Sequence, residues 1–118
     1  MILGALAVSV VGLLMLAYAA ESLAPPLCRI GEITGNDLGR SVHVAGNVSG
    51  VHRFKGGSAQ VSLRDQSGEI DIYLPYDVVA ARGDVLNASA LDAVGEVEVY
   101  RGRLELVVSG PSRLRVIK

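Results

Sequence analysis

Val61-Ser62-Leu63-Arg64-Asp65-Gln66-Ser67-Gly68-Glu69-Ile70-Asp71-Ile72-Tyr73-Leu74 is the stretch on which the fold turns. Starting just before it, Ala59, Val61 and Leu63 alternate with Gln60, Ser62 and Arg64; after it begins to return, Ile70, Ile72 and Leu74 alternate with Glu69, Asp71 and Tyr73. A period of two marks a strand with one face in a core. Asp65-Gln66-Ser67-Gly68 between the runs has the residues of a tight turn, so the two strands form a hairpin.

The same period holds upstream. Val42, Val44, Gly46 and Val48 share one face, with His43, Ala45, Asn47 and Ser49 on the other. Glycines at 46, 50, 56 and 57 allow this long strand and its turn to bend strongly. Downstream, Pro75 to Arg82 predicts about two turns of helix, with Pro early, apolar Val78 to Ala81, and Gly83 just beyond. A second hairpin follows around Arg101-Gly102: Val94, Val97 and Val99 with Glu96, Glu98 and Tyr100, then Leu104, Leu106 and Val108 with Arg103, Glu105 and Ser109. Val116 and Ile117 form a last apolar pair after Pro111. A parallel sheet would need a helix after nearly every strand, so the expected class is mainly β, a closed five-stranded barrel with one short helix.

The start of the chain is different. Ile2 to Ala20 carry no charge, and Ser9 and Tyr18 are their only polar side chains. As a helix this run would be about 28 Å long, close to the hydrocarbon thickness of a bilayer. Ala17-Tyr18-Ala19 also suits signal peptidase, but no Lys or Arg precedes the run, which favours a retained anchor. The expected organisation is a transmembrane signal anchor over residues 1–21, a Pro-containing linker over 22–29 and one domain over 30–118. Pro25-Pro26 stiffens that linker. Arg29 and Arg40 after the helix favour a single-pass protein with its domain on the cytoplasmic side. Two acceptor triplets, Asn47-Val48-Ser49 and Asn87-Ala88-Ser89, would be usable only on the other side.

With 118 residues there is room for one domain of about 90. Eleven Lys and Arg stand against twelve Asp and Glu. Removing Glu21 with the apolar head leaves eleven against eleven, so the domain is neutral and lacks the basic excess of a strong nucleic-acid binder. Cys28 has no second thiol for a disulfide or metal site, and Pro26-Leu27 before it suit lipid attachment poorly. His43 and His52 have no partner ligands at metal spacing and read as surface or rim residues. No Gly-Lys-Ser/Thr follows the glycines, and the carboxylates form no acid and base pair. The expectation is a protein that is not an enzyme, with no metal and no cofactor.

Val44-Ala45-Gly46-Asn47-Val48, Gly56-Gly57, the hairpin from Val61 to Ile70 and the Tyr100-Arg101-Gly102-Arg103-Leu104-Glu105-Leu106 hairpin resemble the oligonucleotide/oligosaccharide-binding (OB) domains. The likeness covers about residues 30 to 118. These domains include the anticodon-binding part of class II aminoacyl-tRNA synthetases. The chain is particularly similar to small archaeal proteins that join a membrane helix to such a barrel, including the Pro-Pro linker and the lead-in Ile30-Gly31-Glu32-Ile33. The resemblance implies a groove across strands two and three, flanked by the loops that join strands one to two and four to five.

Those loops carry Arg53-Phe54-Lys55 and Tyr100-Arg101-Gly102-Arg103, each an aromatic ring beside two positive charges. Arg64 and Tyr73 point outward between them. Rings stack on bases at roughly 1 to 3 kcal/mol each, while Arg and Lys meet phosphates. Arg53, Phe54, Lys55, Arg64, Tyr73, Tyr100, Arg101 and Arg103 are therefore the candidate site for single-stranded DNA or RNA. A plainer account has Phe54 capping the barrel, Tyr100 packing on a neighbouring strand and the arginines solubilising the surface. Glu69 and Asp71 beside Tyr73 would repel phosphate, so binding is expected to be weak. A second function class is a module that recruits a protein partner to the membrane. The haem chaperones of cytochrome maturation share the helix-plus-barrel plan. They use a histidine late in the barrel, and none follows His52.

Overall fold

The computed structural model describes residues 25–117. The expected membrane helix lies outside the described residues, as does the start of the linker; no helix among the described residues is long and apolar enough to cross a membrane.

Six strands and one short helix make up the barrel: β1 (Ser41–Arg53), β2 (Ala59–Arg64), β3 (Glu69–Leu74), α1 (Tyr76–Ala81), β4 (Ala90–Tyr100), β5 (Arg103–Val107) and β6 (Leu114–Val116). The sheet order is β1-β2-β3-β5-β4-β6, and β1 also pairs with β4. Five strands thus close a ring, and β6 is an addition at the edge of β4 that the five-strand expectation lacked. Closure depends on β1 belonging to two pairings. Its first half, Ser41 to Asn47, pairs antiparallel with β4, and its second half, Asn47 to Arg53, pairs with β2. A bulge between Val48 and Gly50 lies in the β2 half. At Gly46 a Cβ would lie 2.6 Å from the Arg64 carbonyl oxygen, so only glycine lets β2 approach there.

The period-two residues of the first hairpin fill the core. Val44, Val61, Leu63, Ile72, Leu74, Leu91, Val97 and Leu106 are fully buried. β3 and β5 join in parallel, with Ile72 opposite Leu106. In β4 the expected apolar face holds at Val97 and is corrected at Val94 and Val99. Its core face is Leu91, Ala93 and Val97. Val94 is buried on the opposite side, outside the core cluster, and Val99 is 54% exposed beyond the barrel. The strand begins at Ala90, four residues earlier than the apolar pattern suggested, and that start sets its phase.

Two anchors hold the N-terminal lead-in. The Ile30 N–H donates to Asp65 Oδ2 at 2.8 Å, and the Gly31 N–H donates to Ser67 Oγ at 2.8 Å. His43 is also not a plain surface residue. Its ring nitrogens lie 3.1 Å from the Pro25 carbonyl oxygen and 2.5 Å from Asp92 Oδ1, so it ties the linker to β4.

Candidate binding groove

The outward faces of β2, β3 and β5 form the floor of a groove. Its rim comes from the turns that follow β1 and β4. After Arg53 the chain folds back tightly: the Phe54 N–H donates to the Ser58 carbonyl at 2.9 Å, and the Gly57 N–H donates to the Phe54 carbonyl at 3.1 Å. Gly57 has φ 94° and lies directly under the Tyr76 ring, so the turn is pinned at its tip by the start of α1. The β4–β5 turn is a two-residue one with Arg101 at φ 52° and Gly102 at φ 79°. Both central residues of this turn type need positive φ, so Arg101 is held in a conformation that costs about 1 kcal/mol for a side chain with a Cβ. Its guanidinium carbon sits 5.3 Å from the Tyr100 ring centroid.

These turns aim the aromatic rings into the groove. The Phe54 and Tyr73 centroids are 6.3 Å apart at 50°, and His52 meets Phe54 edge-on at 4.7 Å. Two adjoining cavities of about 420 and about 470 Å³ share Phe54, Tyr100 and Glu105. His52, Gln60, Asp71, Arg101, Arg103 and Leu104 complete the first. Tyr73, Glu98 and Val99 are among those completing the second.

The electrostatics of the floor are acidic. Glu105 is only 7% exposed, and its Oε2 accepts from Gln60 Nε2 at 2.9 Å. Burial pushes its carboxyl above the ordinary range; the Gln60 hydrogen bond opposes this, and the charges of Asp71 and Glu98 add to it. Asp71 accepts from Ser62 Oγ at 2.7 Å. Among the described residues no buried side-chain nitrogen or oxygen lacks a partner, and no three His, Cys, Asp or Glu are grouped to hold a metal.

Of the residues singled out in the sequence, the structure brings Phe54, Tyr73, Tyr100, Arg101 and Arg103 together around the two cavities. Arg53 and Lys55 flank Phe54 and are exposed, but line neither cavity. Arg53 is paired with Ala59, while His52 is paired with Gln60, so the two side chains leave β1 on opposite faces. Arg64 lies at the far end of the hairpin, where its guanidinium bonds Glu69 at 2.9 Å. His52, Gln60, Glu98 and Glu105 are groove residues that the sequence reading missed. Alternation placed Gln60, Glu98 and Glu105 outward. The β1–β2 pairing sets His52 beside Gln60 and the β4–β5 hairpin sets Glu98 beside Glu105; bringing the two pairs together depends on the parallel β3–β5 register, which no local pattern carries.

No protein-family model matches the chain, and no curated protein matches it. Solved structures do. Asparaginyl-tRNA synthetase from Pyrococcus horikoshii, complexed with asparaginyl-adenylate, superposes with a TM-score of 0.65 at 21% identity. The match covers 77% of this chain and 22% of the synthetase, so this chain spans about a fifth of that protein. An OBody bound to hen egg-white lysozyme matches at TM-score 0.64 and 24% identity over 81% of this chain and 96% of its own. The S. pombe Stn1–Ten1 complex matches at 0.55 and 13%, covering 66% and 58%. At these identities the likeness shows the fold, which is an OB barrel.

Proposed function

We propose that this chain is a membrane-tethered, non-catalytic OB module that holds single-stranded nucleic acid weakly in the groove. The observation that carries this reading is the convergence of three rings, Phe54, Tyr73 and Tyr100, on two adjoining cavities with Arg101 and Arg103 at the rim. Stacking rings accept any base, and the arginines meet the phosphates that connect stacked bases. The fold is shared with chains named as a tRNA synthetase and as Stn1–Ten1, which supports the reading without setting a sequence preference. Affinity is weak because Asp71, Glu98 and Glu105 face the same space and the domain carries no basic excess. Residues 2–20 supply the tether, with the barrel on the cytoplasmic side.

The test is titration of the full chain, in neutral detergent, with labelled single-stranded DNA and RNA at about 50 mM and about 200 mM salt. Salt-sensitive binding that drops at least about tenfold in a Phe54→Ala, Arg101→Ala, Arg103→Ala variant supports the groove. No binding at the lower salt refutes it. A second reading, recruitment of a protein partner, is favoured by one observation: Val99 and Tyr100 are 54% and 49% exposed side by side at the groove's edge. The OBody of the same fold is a chain named as bound to a protein, lysozyme.

A further inference from the structure

On the side of the barrel away from the groove, the linker, the first half of β1, the start of β4 and β6 lie next to one another. The linker is laid along β1: Leu27 bridges His43 in parallel, the Cys28 N–H donates to the His43 carbonyl at 2.8 Å, and a His43 ring nitrogen meets the Pro25 carbonyl at 3.1 Å. The apolar run ends at Ala20, so the chain allows at most about 18 Å between its end and Pro25. Asp92 lies opposite Arg115 in the β4–β6 pairing, and both point outward because their neighbours Leu91, Ala93 and Leu114 are buried in the core. A cavity of about 300 Å³ opens on this face, with His43, Asp92, Ser112, Arg113 and Arg115 in its lining. Its acid is recessed and its base stands out. The Asp92 side chain is 15% exposed and bonded to both His43 and Arg115, whereas the Arg115 side chain is 77% exposed.

We propose that this face is a bilayer-contact surface on which Arg113 and Arg115 hold the phosphates of acidic phospholipid headgroups, so that the groove faces away from the membrane. The inference rests on the reading of residues 2–20 as a tether. Three features support it. The docked linker brings the tether to this face and to no other, since Pro25 is fixed against His43. The charges match: two guanidinium groups meet an approaching phosphate, and the one carboxylate among them is already bonded. Arginines close to an acidic leaflet are attracted to it within about 10 Å. Leu27, 60% exposed beside the two prolines, adds an apolar contact at the same edge. The groove has the opposite character, because Asp71, Glu98 and Glu105 line it and an acidic leaflet repels them. Attraction on one side and repulsion on the other turn the barrel the same way.

The experiment places the isotope-labelled full chain in lipid nanodiscs that carry a trace of lipid with a paramagnetic headgroup, and reads the loss of each backbone amide signal. One set of nanodiscs is phosphatidylcholine alone; the other is phosphatidylcholine and phosphatidylglycerol at about three to one. Signal loss is expected at His43 and at Ser112 to Arg115, with Phe54, Arg101 and Arg103 spared, and at least about twofold greater in the acidic bilayer. The Arg113→Gln, Arg115→Gln variant is expected to show only the loss seen in the neutral bilayer, and its own amide spectrum reports that it is folded. Loss centred on the groove, loss spread evenly around the barrel, the same loss in both bilayers, or a folded variant that behaves as wild type overturns the surface while the tether stands. A chain that stays out of the nanodiscs altogether refutes the tether and the surface together.

Discussion

Asp65 shows how one side chain joins two parts of the chain. Its Oδ1 accepts from the Ser67 N–H at 2.7 Å, from Ser67 Oγ at 2.5 Å and from the Gly68 N–H at 3.0 Å, closing the β2–β3 turn. Its Oδ2 accepts from the Ile30 N–H and so fastens the lead-in to the barrel. Desolvation pushes this carboxyl up, but the hydrogen bonds from Ile30, Ser67 and Gly68 outweigh it and hold it at about 2. A depressed carboxylate stabilises the fold above its unfolded value, and that contribution is lost as pH falls toward the folded one. Asp65→Ala should therefore cost about 1–2 kcal/mol at neutral pH, by denaturant unfolding. The gap to wild type should narrow as pH falls from about 4 to about 2; a gap that stays constant over that range would contradict the role given to the ionised form. The turn was legible in the sequence because Asx-turn chemistry is local. Glu105 was not. Alternation placed it outward, where a Glu normally meets water, and only the neighbouring strand and the two rim turns bury it.

At the scale of elements, β1 decides whether the barrel closes. One strand serves β4 with its first half and β2 with its second, so the backbones must approach closely where the halves meet. Gly46 sits there, against the Arg64 carbonyl, whereas Gly50 has open space around its would-be Cβ. Gly46→Ala is expected to cost about 2–4 kcal/mol, while Gly50→Ala should change stability by less than about 1 kcal/mol. Thermal unfolding of the two variants side by side checks this, and equal losses would show that general strand flexibility matters rather than the close approach. The strands β1, β2 and β3 were readable because each alternates over at least five residues. β4 was read four residues short because Ala90-Leu91-Asp92-Ala93 has little β-branched character, and Val94 then fell into the wrong phase. β6 has three residues, too few for any period to show.

For the whole molecule, the groove is a product of ring closure. The parallel β3–β5 pairing joins the β1–β2–β3 run to the β4–β5 hairpin, so it brings His52, Gln60 and Tyr73 of one to Glu98 and Glu105 of the other although no motif links them. Phe54, Tyr100, Arg101 and Arg103 could be found earlier because each lies in a turn where an aromatic ring and a positive charge are adjacent. The same closure puts Arg64 out of reach of the groove and turns Arg53 to the other face of β1. Under the proposed function, a neutral domain with an acidic floor and a basic rim would order a bound strand with its bases toward the floor and its phosphates along the arginines. Were the proposed tether to hold it beside a bilayer, even a weak site of this kind would gain from high local concentration.

The most direct test maps the contact surface residue by residue. Backbone amide shifts of the isotope-labelled full chain, in neutral detergent micelles, would be followed while a single-stranded oligonucleotide is added. The account predicts shifts concentrated at His52, Phe54, Gln60, Tyr73, Tyr100 to Arg103 and Glu105, with His43, Asp92 and Arg115 on the opposite side unmoved. Shifts centred on His43 and Arg115 instead, or none at all, would contradict it.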